Sequence, residues 1–248
     1  MSKSKSTNNL RSPSVVVIGA GMTGVLLTIK LREAGITDIT VLEKRDRLGG
    51  TWRENTYPGV ACDIPAHMYT YSFEPNPEWS HRFAHGDEIQ TYFELVGRKY
   101  GVTNSINFNE SVTRCIYSEG KWAVTTSKGR ELVVDFVINS TGILHHPAKP
   151  NIKGIENFQG AVFHTAEWDH SVDLAGKKVG IIGTGSTAAQ VVPEVAKEAQ
   201  KLSVFQRTPQ WILPIGNKSI TEREKAKLRK NPIKVQRLRQ AYNLSLIH

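Results

Sequence analysis

Two stretches of this 248-residue chain repeat one design: a short β-branched run, a glycine-rich turn, a helix-compatible stretch and a second β-branched run. That order is the plan of a parallel β–α–β unit, and it restricts the fold more than any other feature. In the first copy, Val15–Ile18 leads into Gly19-Ala-Gly21-Met-Thr-Gly24, then a helical stretch to Ala34 closed by Gly35, and Ile39–Leu42 ending at Glu43. Gly19 permits the tight turn, Gly21 lets backbone approach a pyrophosphate, and Gly24 lets helix and strand pack closely. The phosphates of a dinucleotide fit the helix N-terminus, where N–H groups are free and the dipole favours anions. Glu43 falls where a carboxylate accepts the ribose hydroxyls.

In the second copy, Lys178–Ile182 is followed by Gly183-Thr-Gly185-Ser-Thr-Ala188, a helix over residues 186–200 with a bend at Pro193, and a strand over residues 202–205. Here the second strand ends in Gln206-Arg207 rather than an acid. A carboxylate would repel a 2′-phosphate, whereas a guanidinium pairs with it. The first unit is therefore expected to hold a dinucleotide with a free ribose, and the second NADP. Two such sites in one chain point to electron transfer, with NADPH reducing a flavin and FAD in the first site.

Between the units, Gly49-Gly50-Thr51-Trp52 reads as a backbone-exposing turn and Tyr57-Pro58-Gly59 as another. Asp63 lies between Cys62 and Ile64, in apolar company; such a carboxylate is either hydrogen-bonded structure or part of a site. Residues 66–83, rich in Tyr, Phe and Pro, suit a loop packed by its own aromatics. Residues 88–100 are helical in pattern and 106–108 β-rich. Val112 to Tyr117, Lys121–Thr126 and residues 132–139 read as a small antiparallel meander. The order predicts an α/β chain with two Rossmann-like dinucleotide-binding units, the FAD/NAD(P)-binding fold, plus that meander, the second unit being incomplete. The expected divisions are a disordered leader (1–13), the N-terminal part of an FAD-binding domain (14–146), a linker (147–176), a partial NADP-binding domain (177–217) and a basic helix-prone tail (218–248).

Residues 158–169, FQGAVFHTAEWD, hold one histidine and one tryptophan beside two phenylalanines. Without companion ligands, His164 argues against a metal, and no metal is expected anywhere. Cys62 and Cys115 form no C-x-x-C pair, which removes a disulfide reductase and points to a reducing, cytoplasmic setting. No apolar run approaches the roughly 20 residues that span a bilayer. The formal charge of +9 draws on Lys218, Arg223, Lys225, Lys227, Arg229, Lys230, Lys234, Arg237 and Arg239, opposed there only by Glu222 and Glu224. That cluster reads as a solvated helical face rather than a nucleic-acid site.

Taken in order, Gly19-x-Gly21-x-x-Gly24, Gly49-Gly50-Thr51-Trp52, Phe158-x-Gly160-x-x-x-His164-x-x-x-Trp168-Asp169 and Gly183-x-Gly185-x-x-Ala188 resemble the type I Baeyer–Villiger monooxygenases. These are class B flavoprotein monooxygenases that use FAD, NADPH and oxygen. The resemblance implies that Glu43, Lys44, Gly50, Thr51, Trp52, Asp63, Ile64, Tyr69 and Val112 line FAD with the first glycine loop. It gives NADP to Ala61, Cys62 and Asp63, to Gly183, Thr184, Gly185, Ser186, Thr187, Ala188 and Ala189, and to Gln206 and Arg207. The implied reaction inserts one oxygen of O2 beside a small-molecule ketone carbonyl, through a C4a-peroxyflavin, to give an ester or lactone. Asp63 would position an arginine that this sequence does not contain, and His164 and Trp168 would form a hinge between the cofactor units. Family members are considerably longer, so the chain reads as C-terminally truncated. A flavin N- or S-oxygenase and a catalytically impaired remnant are the alternatives.

Overall fold

The computed structural model of the chain describes residues 11–144, 146–212 and 216–247; most of the expected leader, residues 1–10, lies outside them. Along the chain come β1 (Val15–Ile18), α1 (Met22–Glu33), β2 (Ile39–Leu42), α2 (Thr51–Glu54), α3 (Gly86–Lys99), β3 (Ile106–Asn107), β4 (Val112–Ser118), β5 (Lys121–Thr126), β6 (Glu131–Val134) and β7 (Phe136–Asn139). Then follow β8 (Lys178–Ile182), α4 (Ser186–Glu198), β9 (Lys201–Phe205), α5 (Glu222–Arg229) and α6 (Pro232–Ile247). The architecture is α/β, with parallel sheets and a separate antiparallel sheet. The chain divides into two compact units, one from Met1–Gly50 and Phe93–Ile143, the other from Thr51–Tyr92 and Leu144–His248.

In the first unit a parallel sheet runs in the order β3-β2-β1-β7, with Val15 paired to Ile39 on one side and to Phe136 on the other. A central parallel strand is covered on both faces, which is why β1 is a continuous apolar run. Val15, Val16 and Val17 are all buried, each side chain contributing about 1.5–3 kcal/mol. Helix α1 lies against β1 and β2. Val16 and Leu42 pack on Val124 and Val134 of the antiparallel sheet β4-β5-β6, with Trp122, Leu132 and Val137 around them.

The single strand expected over residues 132–139 is two strands in two sheets: β6 completes the meander and β7 joins the parallel sheet. Asp135 is the break. Its carboxylate accepts the N–H and hydroxyl of Ser14, each at 2.8 Å, and pairs with Lys121. Its own N–H donates to the Ser14 carbonyl at 3.1 Å. Lys121, followed by Ser14, holds the carboxyl well below the usual carboxylate range. Turning toward these partners takes Asp135 out of the ladder and sends the chain from one sheet into the other.

In the second unit β8 and β9 pair in parallel, Lys178 with Lys201 through Ile182 with Phe205. One face is covered: Val179, Ile181 and Leu202 pack with Val191 and Val195 of α4, and with Tyr57, Val60, Trp168 and Leu174. α5 begins with a complete capping box between Thr221 and Glu224. Part of the basic tail is engaged internally. Arg229 makes two 2.6 Å bonds to Glu78 and one of 3.2 Å to Glu222, and Arg239 donates to the Thr70 carbonyl at 2.7 Å. No helix among the described residues is long and apolar enough to cross a membrane.

Candidate dinucleotide sites

In the first unit the chain leaves β1 at Gly19, whose φ of +98° is open to glycine at little cost. A Cβ on Gly19 would stand 2.9 Å from the Ser140 carbonyl oxygen, and one on Gly24 would stand 2.0 Å from the Gly19 carbonyl oxygen. Neither neighbour is a flexible side-chain end, so both positions exclude any other residue. Ser140, just past β7, fastens the loop further: its hydroxyl donates toward the carbonyls of Ile18 and Gly19 at 2.8 and 2.9 Å. Nothing in the local sequence marks Ser140 for this task, because its partners lie some 120 residues earlier. Gly49 and Gly50 close the loop from the side: the Gly49 N–H donates to the Ala20 carbonyl at 3.0 Å. Gly50, with φ +57°, brings its Cα to 3.5 Å from where a Gly21 Cβ would be.

Glu43 is buried, at 6% exposure. One carboxylate oxygen accepts from the Ala20 N–H at 2.7 Å and the other from the Arg45 N–H at 2.9 Å. Each oxygen keeps a further lone pair, so the group can also accept two hydroxyls, and its charge disfavours a phosphate there. Lys44 follows, half-buried, and Val112, also half-buried, opens β4 at a register shift.

In the second unit, Gly183 leaves β8 with φ +110°, and its N–H donates to the Phe205 carbonyl at 2.9 Å. A Cβ at Gly183 or Gly185 would meet nothing within 4 Å, so this loop faces open space. Thr184 reaches the Thr208 carbonyl at 3.5 Å, which brings the loop beside the turn after β9. Gln206 and Arg207 are exposed on that turn, and Ser186 and Ala189 are exposed on the first turn of α4 while Thr187 and Ala188 are half-buried.

The two helices that follow the glycine loops share an electrostatic feature. Both α1 and α4 start at a glycine with no side-chain cap and no acid in the first turn. α5, by contrast, carries its own cap and two glutamates there. The first N–H groups of α1 and α4 are left for an anion, so the residues present fit the phosphates of a dinucleotide at each loop.

The segment after Gly50 belongs to the second unit. Trp52 donates its indole N–H to the Tyr69 hydroxyl at 3.0 Å, with the rings edge-to-face at 5.4 Å; Thr51 is exposed and Ile64 half-buried. Ala61 forms an isolated bridge with His85, and the Cys62 N–H donates to the Ala84 carbonyl at 2.9 Å. Burial pushes the Cys62 thiol up to about 11. Asp63, next to it, is exposed and has no ion pair among the described residues, so the alternative of a carboxylate buried in structural hydrogen bonds is not what its surroundings hold.

In the 158–169 segment, His164 accepts the Ala166 N–H on Nδ1 at 3.1 Å and caps a short 3-10 turn, Thr165–Glu167. That bond places the ring proton on Nε2. Trp168 packs edge-to-face with Phe163 at 5.1 Å and joins the cluster of Tyr57, Val191 and Val195. His170 Nε2 lies 2.8 Å from the Thr56 hydroxyl. The segment is thus tied to the 56–60 turn and to α4. Among the described residues no three His, Cys, Asp or Glu side chains gather to hold a metal ion.

A family model described as Flavin-binding monooxygenase-like matches residues 12–220. An uncharacterized monooxygenase of Mycobacterium tuberculosis is 45% identical over 235 residues, covering 95% of this chain and 48% of the relative. A Baeyer-Villiger monooxygenase of Streptomyces coelicolor is 43% identical over 214 residues, covering 86% and 41%. A solved structure of OTEMO in complex with FAD and NADP superposes with a TM-score of 0.82 at 35% identity, covering 88% and 43%. The chain spans about half the length of the relatives it matches, or somewhat less.

Proposed function

The chain belongs to the flavin-binding monooxygenase-like family, and we propose that it supplies the FAD- and NADPH-binding loops of a Baeyer–Villiger monooxygenase acting on a small-molecule ketone. The observation that carries this reading is the inversion of charge between two otherwise matching loops: buried Glu43 closes the first and exposed Arg207 the second. That a 43% identical relative from Streptomyces coelicolor is named a Baeyer-Villiger monooxygenase supports reading the substrate of this chain as a ketone rather than a soft nucleophile.

When bound, NADPH supplies the hydride and FAD carries the electrons to O2. Overall, ketone, O2, NADPH and a proton give ester or lactone, NADP+ and water. The chain's own residues bind and orient. Glu43 takes the ribose hydroxyls of FAD, and the N–H groups at the start of α1 take its pyrophosphate. Gly50, Thr51, Trp52, Ile64, Tyr69 and Val112 line the rest of FAD, with Lys44 beside Glu43. The N–H groups from Ser186 to Ala189 take the NADP pyrophosphate, and Gln206 and Arg207 its 2′-phosphate. Ala61, Cys62 and Asp63 receive the nicotinamide end. Asp63, with its carboxylate unpaired among the described residues, is suited to orient a cation near the reacting atoms. His164 and Trp168 hold the 158–169 segment in shape as the nicotinamide approaches and moves aside.

Titration of the chain with FAD tests the reading first. Stoichiometric binding with a flavin absorbance band, followed by bleaching of that band on adding NADPH under anaerobic conditions, is expected; ketone-stimulated NADPH oxidation in air completes it. Protein that stays colourless in excess FAD contradicts it.

A further inference from the structure

A glutamine outside every position assigned above ties the second glycine loop to the segment that receives the nicotinamide. Gln190 sits one turn into α4, immediately after Ala189. Both ends of its amide are engaged: Nε2 donates to the Ala61 carbonyl at 3.0 Å, and Oε1 accepts from the Ala61 N–H at 3.2 Å and from the Tyr57 hydroxyl at 3.0 Å. The pair of bonds to one residue copies a strand pairing and fixes Ala61 in both position and rotation. The reverse amide orientation would set NH2 against N–H, so the network fixes it.

Three further facts extend the arrangement. Burial raises the Tyr57 phenol's pKa, with the Thr187 side chain acting in the opposite direction. The Tyr57 hydroxyl donates to Gln190 Oε1 at 3.0 Å, so the 56–60 turn is bonded to the same amide that holds Ala61. Gly59, at φ +81°, is pressed onto the helix: a Cβ there would lie 2.6 Å from the Gln190 carbonyl oxygen and 2.9 Å from Glu194 Cγ. Tyr57 itself is buried with Val191 and Val195. Asn217 pairs with the peptide of Phe83 in the same manner, at 3.0 and 2.9 Å, so the pairing alone is a fold device. What separates Gln190 is its place on the loop's own helix, immediately after Ala189, and its further bond to Tyr57.

We propose that Gln190 is a positioning residue for NADP: from the helix that follows the pyrophosphate loop, and braced by Tyr57, it holds the Ala61–Asp63 strip in register with that loop. The inference rests on the assignment of NADP to that loop.

The test uses the full chain, its Gln190→Met variant, which keeps the length and removes all three hydrogen bonds, and Tyr57→Phe, which removes one hydroxyl. NADP+ affinity is measured by calorimetry, FAD affinity by fluorescence quenching, and Ala61 amide protection by hydrogen exchange. Gln190→Met should weaken NADP+ about tenfold and speed Ala61 exchange about tenfold, with FAD affinity unchanged; Tyr57→Phe should weaken NADP+ about threefold. Ala61 protection should rise on NADP+ binding in the parent and stay flat in Gln190→Met. A parent that binds NADP+ beside a Gln190→Met variant that binds it equally overturns this inference alone. Should Gln190→Met fail to fold, an unchanged NADP+ affinity in Tyr57→Phe does the same. A parent that binds FAD but no NADP+ overturns the assignment of the loop and this inference with it.

Discussion

The two glycine loops share a sequence pattern and differ in almost everything that surrounds it. The first is enclosed: β1 is buried, Gly24 lies against the Gly19 carbonyl, and Ser140 and Gly49 brace the turn. The second is open: β8 alternates between exposed and half-buried, nothing crowds Gly183 or Gly185, and Ile182 and Phe205 are exposed. The first loop has a buried carboxylate at the end of its second strand and the second loop an exposed arginine, so the two offer opposite charge to a dinucleotide.

The largest effect that bears on this contrast comes from adding one methyl group to each loop. Gly24→Ala drives a Cβ into the Gly19 carbonyl and should cost about 3 kcal/mol, the upper end of overpacking, lowering Tm by roughly 10 °C and removing FAD binding. Gly185→Ala has space for its Cβ and an ordinary backbone, so its Tm should stay within about 2 °C of the parent. It should instead weaken NADP+, because the methyl group stands where the pyrophosphate approaches. Thermal melts with cofactor titration check both. Equal Tm losses at the two positions would break the contrast.

A smaller effect concerns the Ala61–Asp63 strip of the second unit. Burial holds the Cys62 thiol at about 11, so its thiolate fraction is low at neutral pH and grows as pH rises toward that value. Alkylation at pH 8 should be slower at Cys62 than at half-buried Cys115, and should accelerate through pH 10. Mass spectrometry of iodoacetamide-treated protein reads this directly. Rapid labelling of Cys62 at pH 8 would show that the strip is as open as the second loop.

The sequence revealed the loops more readily than their supports. Val15–Ile18, Ile39–Leu42 and Lys178–Ile182 match the observed strands, because β-branched runs bounded by glycine are local signals. The observed α4 ends at Glu198, two residues short of expectation, and β9 starts one residue early. The split at Asp135 was not legible: its partner Ser14 is 121 residues away, and no local pattern marks an aspartate as the pivot between two sheets. Gln190 was missed for the same reason, since it acts on a backbone 129 residues earlier. Residue types suggest the chemistry proposed for the loops; distant hydrogen bonds, invisible to periodicity, decide how rigidly each loop is held.

In the proposed function, charge at the end of the second strand of each unit sorts the two dinucleotides. The most direct measurement is the ratio of NADP+ to NAD+ affinity of the FAD-loaded chain, with and without Arg207→Ala. A charge-assisted contact to the 2′-phosphate predicts that the parent binds NADP+ about tenfold more tightly or better, and that Arg207→Ala brings the ratio near unity while leaving NAD+ binding in place. A parent that binds NAD+ as tightly as NADP+, or a ratio that survives the loss of Arg207, would contradict it.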